Sequence, residues 1–298
     1  MTYNSGPCHS SGIKWSKIAV PKNIQVMKST GTVEDFNLAK LKSALVRAGA
    51  TKGQSREITE RIVHDSKPFT STKEIYRLAL KYLRNLDYTS GLRFALKKAI
   101  LQLGPSGYPF EKYFAEIMKN YGYKVQVGGI LKGKCVSHEV DVFATRPDAV
   151  VVVECKFHNS ADRLSDLKVA MYVDSRFRDL QPVMADRHPE KAYSGWLVTN
   201  THCTRDALAY AGCSGYKVVS WKHPKNGSLK NLIEDQRLYP VTIISGIKAG
   251  LAQKLIDRDV ILMRDLVEID VSRLQSMLSL PMSKAVALKK QVDALCCR

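Results

Sequence analysis

The chain has 298 residues and 45% hydrophobic content, enough for sizeable cores in about two average domains or three small ones. A formal charge of +18 makes polyanions its natural partners, because neutralised phosphates release condensed counterions. No apolar run approaches the roughly eighteen residues of a membrane helix, and the N-terminus lacks a secretory apolar stretch, so the expectation is a soluble cytoplasmic protein with no membrane partner.

Seven scattered cysteines with no Cys-x-x-Cys pair argue against a zinc or dithiol site. Cys155 and Cys203 lie in apolar runs, as reduced, packed thiols do, while Cys296 and Cys297 read as a frayed end.

Residues 1–23 are rich in Ser, Gly, Pro and Lys without periodicity and read as a flexible tail. Residues 24–27 form a short predicted strand, Gly31 a turn, and Leu38, Leu41, Leu45 and Val46 recur at helical spacing. Helices are expected at 56–66, 72–85 and 90–103, the second capped by Ser71 or Thr72. Gly104-Pro105-Ser106-Gly107 ends this first module, 24–104. A helix at 109–121 follows, then strands at 124–128, 140–144 and 149–157, and a helix at 161–180. A strand at 195–199, a helix at 204–211 and a strand at 217–220 complete the order. This alternation predicts an α/β domain with a mixed sheet over 105–238. Residues 239–298 are helical in pattern, which makes the whole chain α+β.

The chemistry concentrates in one predicted hairpin. Val140-Asp141-Val142-Phe143 and Val150-Val151-Val152-Val153-Glu154-Cys155-Lys156 flank a turn at Arg146-Pro147-Asp148. Residues two apart on a strand share a face, so Glu154 and Lys156 point the same way. Charged groups ending an apolar strand are costly unless paired or metal-bound, and Asp141 on the neighbouring strand is within reach. Two carboxylates there suit Mg²⁺ or Mn²⁺, with the Cys155 carbonyl as an extra ligand and Lys156 acting on the attacking water or the transition state. Glu-x-Lys alone is usually a surface ion pair. Asp141 before a four-valine strand ending in Glu154 and Lys156 is a much rarer combination.

The pattern resembles the PD-(D/E)xK nuclease superfamily and its Mrr-type restriction endonuclease branch. The resemblance runs from about Gly107 to Trp221 and includes Tyr108-Pro109-Phe110-Glu111, Val140-Asp141-Val142, Val153-Glu154-Cys155-Lys156 and Gly195-Trp196-Leu197-Val198-Thr199-Asn200. It implies that Asp141 and Glu154 hold a metal ion, that Lys156 serves the water, and that Glu111 on the preceding helix joins the catalytic group. Glu111 also fits a solvated position beside the buried stripe Phe110, Phe114, Ile117 and Tyr121. His138, close to Asp141, reads as a surface or supporting residue.

In the first module, Lys28 ends a strand, and Asn37 can cap a helix that carries Lys40, an arrangement that gathers lysines and helix N–H groups. A solvated lysine face is the plainer reading. The segment also resembles the ATP-cone, a nucleotide-binding regulatory domain, over about 24–103. That resemblance implies that Lys28, Glu34, Asn37, Lys40 and Thr72 bind ATP or dATP. No Walker-type phosphate loop is present, which agrees with sensing rather than turnover.

Ile244-Ser245-Gly246-Ile247-Lys248-Ala249-Gly250-Leu251 resembles a helix-hairpin-helix DNA-binding unit, with Leu278-Ser279-Leu280-Pro281 as a second half. A small helical bundle for dimerisation is the alternative. Together these readings give a Mg²⁺- or Mn²⁺-dependent endodeoxyribonuclease with adenine nucleotide as regulatory input and homo-oligomer formation open. The competing reading is a nucleotide-responsive DNA-binding regulator with an inactive nuclease fold.

Overall fold

The computed structural model describes residues 24–28 and 31–296, with side chains described through Asp293. The tail expected at 1–23 and Cys297 lie outside the described residues. Contacts divide the chain into two compact units on either side of the Phe94–Ala95 bond.

The first unit opens with β1 (Gln25–Met27) and β2 (Val33–Asp35), followed by α1 (Leu38–Arg47), α2 (Lys52–Asp65), β3 (Thr70–Ser71), α3 (Thr72–Leu86) and the start of α4 (Tyr88–Leu101). Its sheet has the order β2-β1-β3, β1 pairing antiparallel to β2 and parallel to β3. Side-chain capping fixes where the helices begin. Asn37 accepts the Lys40 N–H at 2.8 Å, Thr51 and Gln54 form a reciprocal capping box on α2, and Ser71 accepts from Glu74. Val26, Leu45, Ile58, Ile62, Ile75 and Leu83 make the fully buried centre of the unit. Sequence periodicity missed β2 and β3, because strands of two or three residues carry too few alternations to register.

In the second unit, α5 (Tyr108–Asn120) carries Pro109 in its first turn, where the missing N–H costs nothing. Next come β4 (Lys124–Val127), β5 (Ile130–Lys132), β6 (Ser137–Glu139), β7 (Val142–Arg146), β8 (Ala149–Lys156) and β9 (Leu164–Ser165). Helix α6 (Leu167–Arg187), β10 (Ala192–Thr199), β11 (His202–Cys203), α7 (Arg205–Ser214), β12 (Lys217–Val219) and α8 (Leu229–Asp235) follow. The main sheet has the order β12-β10-β8-β7-β4. Strands β8, β10 and β12 are mutually parallel, while β4, β7 and β8 form antiparallel pairs, so the sheet is mixed, as the alternating pattern predicts.

The two faces of β8 are sorted by residue type. Val152 packs with Ala170, Val173 and Phe177 of α6 and with Ala207 and Ala211 of α7. On the opposite side, Phe157 meets Phe110 of α5 with ring centroids 5.7 Å apart. Four consecutive valines, all buried, are what a central strand covered on both faces requires.

Helix α6 starts later and runs longer than the 161–180 that periodicity suggests. Asp166 caps it by accepting the Val169 N–H, the stretch before it is spent on turns and β9, and Leu180 and Met184 stay buried on either side of Pro182.

The last segment holds α9 (Ala249–Ile256), α10 (Val271–Leu278) and α11 (Met282–Cys296), and it packs on α5. Tyr113 Oη donates to the Leu238 carbonyl at 2.7 Å, and Lys112 reaches the Ile256 carbonyl and Asp259. Gly246 (φ 102°) and Ser279 (φ 53°) both turn the chain through the left-handed region ahead of α9 and α11. Among the described residues, no helix is long and apolar enough to cross a membrane.

Two glycines test this packing in opposite directions. A Cβ on Gly195 would fall 2.1 Å from Cδ2 of Phe177, whereas one on Gly212, inside α7, would meet nothing within 4 Å. Urea denaturation should show Gly195→Ala destabilised by about 1–3 kcal/mol. Gly212→Ala should be neutral or stabilised by up to ~1 kcal/mol. Equal effects at the two positions would contradict the α6-on-sheet packing.

Candidate active site at the end of the central strand

The β7–β8 hairpin pairs Val142 with Val153, and Asp141 and Glu154 are the next residues along each strand. Asp141 stands at the point where the chain enters β7. Its Oδ2 accepts the Cys155 N–H at 2.6 Å, which fixes the carboxylate against the β8 backbone. Alternation along β8 leaves Glu154 half-buried, Cys155 buried and Lys156 exposed. Burial and the acidic neighbours push the Cys155 thiol well up, so its sulfur is a neutral packing group.

Glu111 comes from the first turn of α5. Burial, then Asp141 and Glu139, raise its carboxyl to about 7. Glu154 is also raised to about 7, first by burial and then by Asp141, with Arg176 and Lys156 opposing the shift. Asp141 is raised by burial, and the hydrogen bond from Cys155 works against that. Each carboxyl therefore senses the next, and the structure brings Glu111, Asp141, Glu154 and Lys156 into one electrostatic neighbourhood. Like charges held this close in a dry setting need a cation.

Arg176 of α6 supplies one. Its Nη1 donates to Glu154 Oε2 and, at 3.0 Å, to the Glu139 carbonyl, and its Nη2 donates to Tyr172 Oη at 2.7 Å. The guanidinium also lies 5.0 Å from the Tyr172 ring centroid. The pair is largely dry, with side-chain exposures of 13% for Arg176 and 16% for Glu154. The buried Nε of Arg176 has no hydrogen-bond partner.

Arg176 is the group that sequence reasoning misses. The available signal is its place on the helix after Glu154, but a helix cation beside the apolar stripe reads as a solvated group until packing shows what it meets.

His138 belongs to a different cluster. Its Nε2 lies 2.8 Å from Oδ2 of Asp179, whose carboxylate also accepts the Cys135 and Val136 N–H groups at 2.8 and 3.2 Å. These partners, His138 foremost, hold the Asp179 carboxyl well below the usual range. The cluster ties the β5–β6 turn to α6, so His138 braces the hairpin that leads into Asp141.

The donor set can be tested against a divalent ion. Among the described residues, no three His, Cys, Asp or Glu side chains cluster tightly enough to hold a metal ion. The hard carboxylate oxygens of Asp141 and Glu154 nevertheless match Mg²⁺ or Mn²⁺. Mg²⁺ commonly keeps several waters and takes only one or two carboxylates. The donor chemistry therefore fits such an ion, with Arg176 neutralising Glu154 where the ion would.

In the first unit, Lys28 and Thr72, two of the nucleotide residues implied by resemblance, stand at one end of a small sheet, and Asn37 and Lys40 follow β2 beyond its other end. Met27 pairs with Ser71 across β1 and β3, so the chain continues to Lys28 and Thr72 side by side. Lys28 Nζ is 2.7 Å from Glu34 on β2. Asn37 and Lys40 form the first turn of α1, and all five residues are exposed.

Comparison with known proteins bears on the second unit. A restriction endonuclease family model matches residues 104–225, and an "AF1548-like, C-terminal" model matches 239–296. An Archaeoglobus fulgidus protein described as uncharacterized is 32% identical over 161 residues, covering 54% of this chain and 87% of its own. The crystal structure of AF1548, titled as a protein of unknown function, aligns with a TM-score of 0.54 and 29% identity. It covers 64% of this chain and 98% of that one. The restriction endonuclease MspJI, solved with a 27-mer oligonucleotide, aligns with a TM-score of 0.30 and 13% identity, over 80% of this chain and 50% of that one. On these relationships the chain belongs to the AF1548-like family, its restriction endonuclease domain preceding an AF1548-like C-terminal segment.

Proposed function

We propose that this protein is a divalent-metal-dependent endonuclease that hydrolyses DNA phosphodiester bonds, with ATP or dATP binding to its first unit as a regulatory input. The observation that carries the proposal is the meeting of Asp141 with the Glu154-Cys155-Lys156 strand end, where an anchored carboxylate lies against a backbone bearing a second carboxylate and an exposed ammonium.

Asp141, Glu154 and the Cys155 carbonyl would hold the ion. When bound, it supplies charge neutralisation at the phosphate and activation of a water molecule. The remaining work falls to the chain. The Cys155 N–H keeps Asp141 in one orientation, so its free oxygen is aimed before substrate arrives. Lys156, exposed on the face it shares with Glu154, meets the phosphate oxygens on which negative charge builds, or orients the water. Glu111, raised to about 7, can hold a proton beside Asp141. Arg176 occupies Glu154 and must loosen its grip for that carboxylate to act elsewhere.

The same ion pair favours the second reading, a DNA-binding regulator whose nuclease fold stays silent because Arg176 permanently neutralises Glu154. Cleavage tests separate the two. Supercoiled plasmid in Mg²⁺ should be nicked by the wild type, and Asp141→Ala and Glu154→Ala should each lower the rate at least about a hundredfold. Glu154→Gln, which leaves Arg176 a hydrogen-bond partner, should lose the same rate, and the melting profiles of all three variants separate loss of the centre from loss of fold. Undiminished nicking by Asp141→Ala would remove the proposed centre, and DNA binding without any nicking would favour the regulator.

The nucleotide arm is supported by Lys28, Glu34 and Thr72 standing at one sheet end, and by Asn37 and Lys40 in the first turn of a capped helix. Calorimetry should detect ATP or dATP binding by the wild type. Lys28→Ala and Lys40→Ala should each weaken it about tenfold, the worth of one charge-assisted hydrogen bond. A wild type that takes up no adenine nucleotide would end this part of the proposal. In the C-terminal segment, the left-handed corners at Gly246 and Ser279, each just ahead of a helix, together with exposed Lys248, support a role in gripping DNA.

A further inference from the structure

Strands β8, β10 and β12 are parallel, so the chain leaves all three at the same edge of the sheet. Lys156 and His158 stand at the end of β8, Asn200 and His202 beyond β10, and Trp221 and Lys222 beyond β12. These exits are bolted together. Asn200 is fully buried, and its side chain accepts the His158 N–H and donates to the His158 carbonyl, both at 2.8 Å. The Trp221 N–H donates to the Thr201 carbonyl at 2.8 Å, and His158 Nε2 lies 3.2 Å from Ser165 Oγ.

Lys97 enters this platform from α4. Its ammonium donates to the Asn200 carbonyl at 2.7 Å and sits 4.7 Å from the Trp221 ring centroid. A carbonyl dipole and an aromatic face hold it, although burial and neighbouring Lys222 push it down to about 8. His158 is lowered by burial and then by Lys156, Arg163 and Lys97, and His202 by burial and then by Lys97 and Lys222. The charged neighbours acting on these three groups are all cations. A rigid edge that concentrates positive charge next to a site of opposite sign is the electrostatic footprint of a phosphate track.

We propose that this edge, formed by Lys97, Lys156, His158, Arg163, His202 and Lys222, binds consecutive backbone phosphates of one DNA strand and leads that strand to the carboxylates at Asp141 and Glu154. The proposal rests on the nuclease reading, since it takes DNA as the polyanion and Lys156 as the link between the two sites. Lys97 and Asn200 form the floor, tying three loops into one surface. Exposed Lys222 and Arg163 stand on it as mobile contacts.

The test uses the full chain and a short fluorescein-labelled DNA duplex in EDTA, with anisotropy read across a KCl series. Lys222→Gln and Arg163→Gln are both exposed and should leave the melting profile unchanged. Each should weaken binding roughly fivefold at low salt and flatten the plot of log K against log salt by about 0.9. Lys124→Gln is the control, because Lys124 pairs with Thr145 at the end of the β4–β7 ladder remote from Asp141. Slopes for Lys222→Gln and Arg163→Gln that match the control, or a wild type that does not bind the duplex, would overturn the proposal. If the slopes flatten as expected but the wild type cuts nothing in Mg²⁺, the phosphate track stands and the nuclease reading falls.

Discussion

Everything in the second unit is arranged around an unfavourable act, the placing of carboxylates next to one another at the dry end of a central β-strand. Such groups repel and lose hydration, and both effects appear in the weakened acidity of Glu111 and Glu154, each raised to about 7. A sequence keeps such a group at a stability cost only where other parts of the fold over-determine it. Here the over-determination is visible. Four buried valines hold β8 between α6 and α5, the β7 pairing brings Asp141 to the open end of the ladder beside Glu154, and the Cys155 N–H locks its carboxylate.

Helix α6 is the second organising element, because one helix serves three purposes with residues close in sequence. Asp174, buried, accepts from Arg178 and Tyr210 and ties α6 to α7. Arg176 turns toward the sheet and neutralises Glu154. Asp179 gathers His138 and the amides of the β5–β6 turn, so the strand that delivers Asp141 is braced from the same helix. A shift of α6 would therefore move the counter-ion and the hairpin together.

How much of this was legible in the sequence follows from how local each feature is. The β7–β8 hairpin and the shared face of Glu154 and Lys156 lie within seventeen consecutive residues and obey a period of two, so alternation alone exposes them. Asn37 and Ser71 were readable as caps for the same reason, a short polar side chain standing just before a periodic run. The two-residue strands β9 and β11 pair with each other across a long stretch of chain, and no local pattern announces them. Arg176 reads as one more helix cation until tertiary packing shows which face of α6 turns inward. The basic edge draws on residues from 97 to 222, and only the parallel sheet brings them to one side.

The central claim is that Asp141 and Glu154 share one divalent ion in place of the Arg176 counter-charge. Anomalous diffraction from crystals of the full chain soaked in Mn²⁺ measures this directly. The account expects one strong anomalous peak in contact with a carboxylate oxygen of each residue, with the Arg176 guanidinium displaced from Glu154. A saturating soak that leaves Arg176 on Glu154 and shows no peak between the two carboxylates would contradict it.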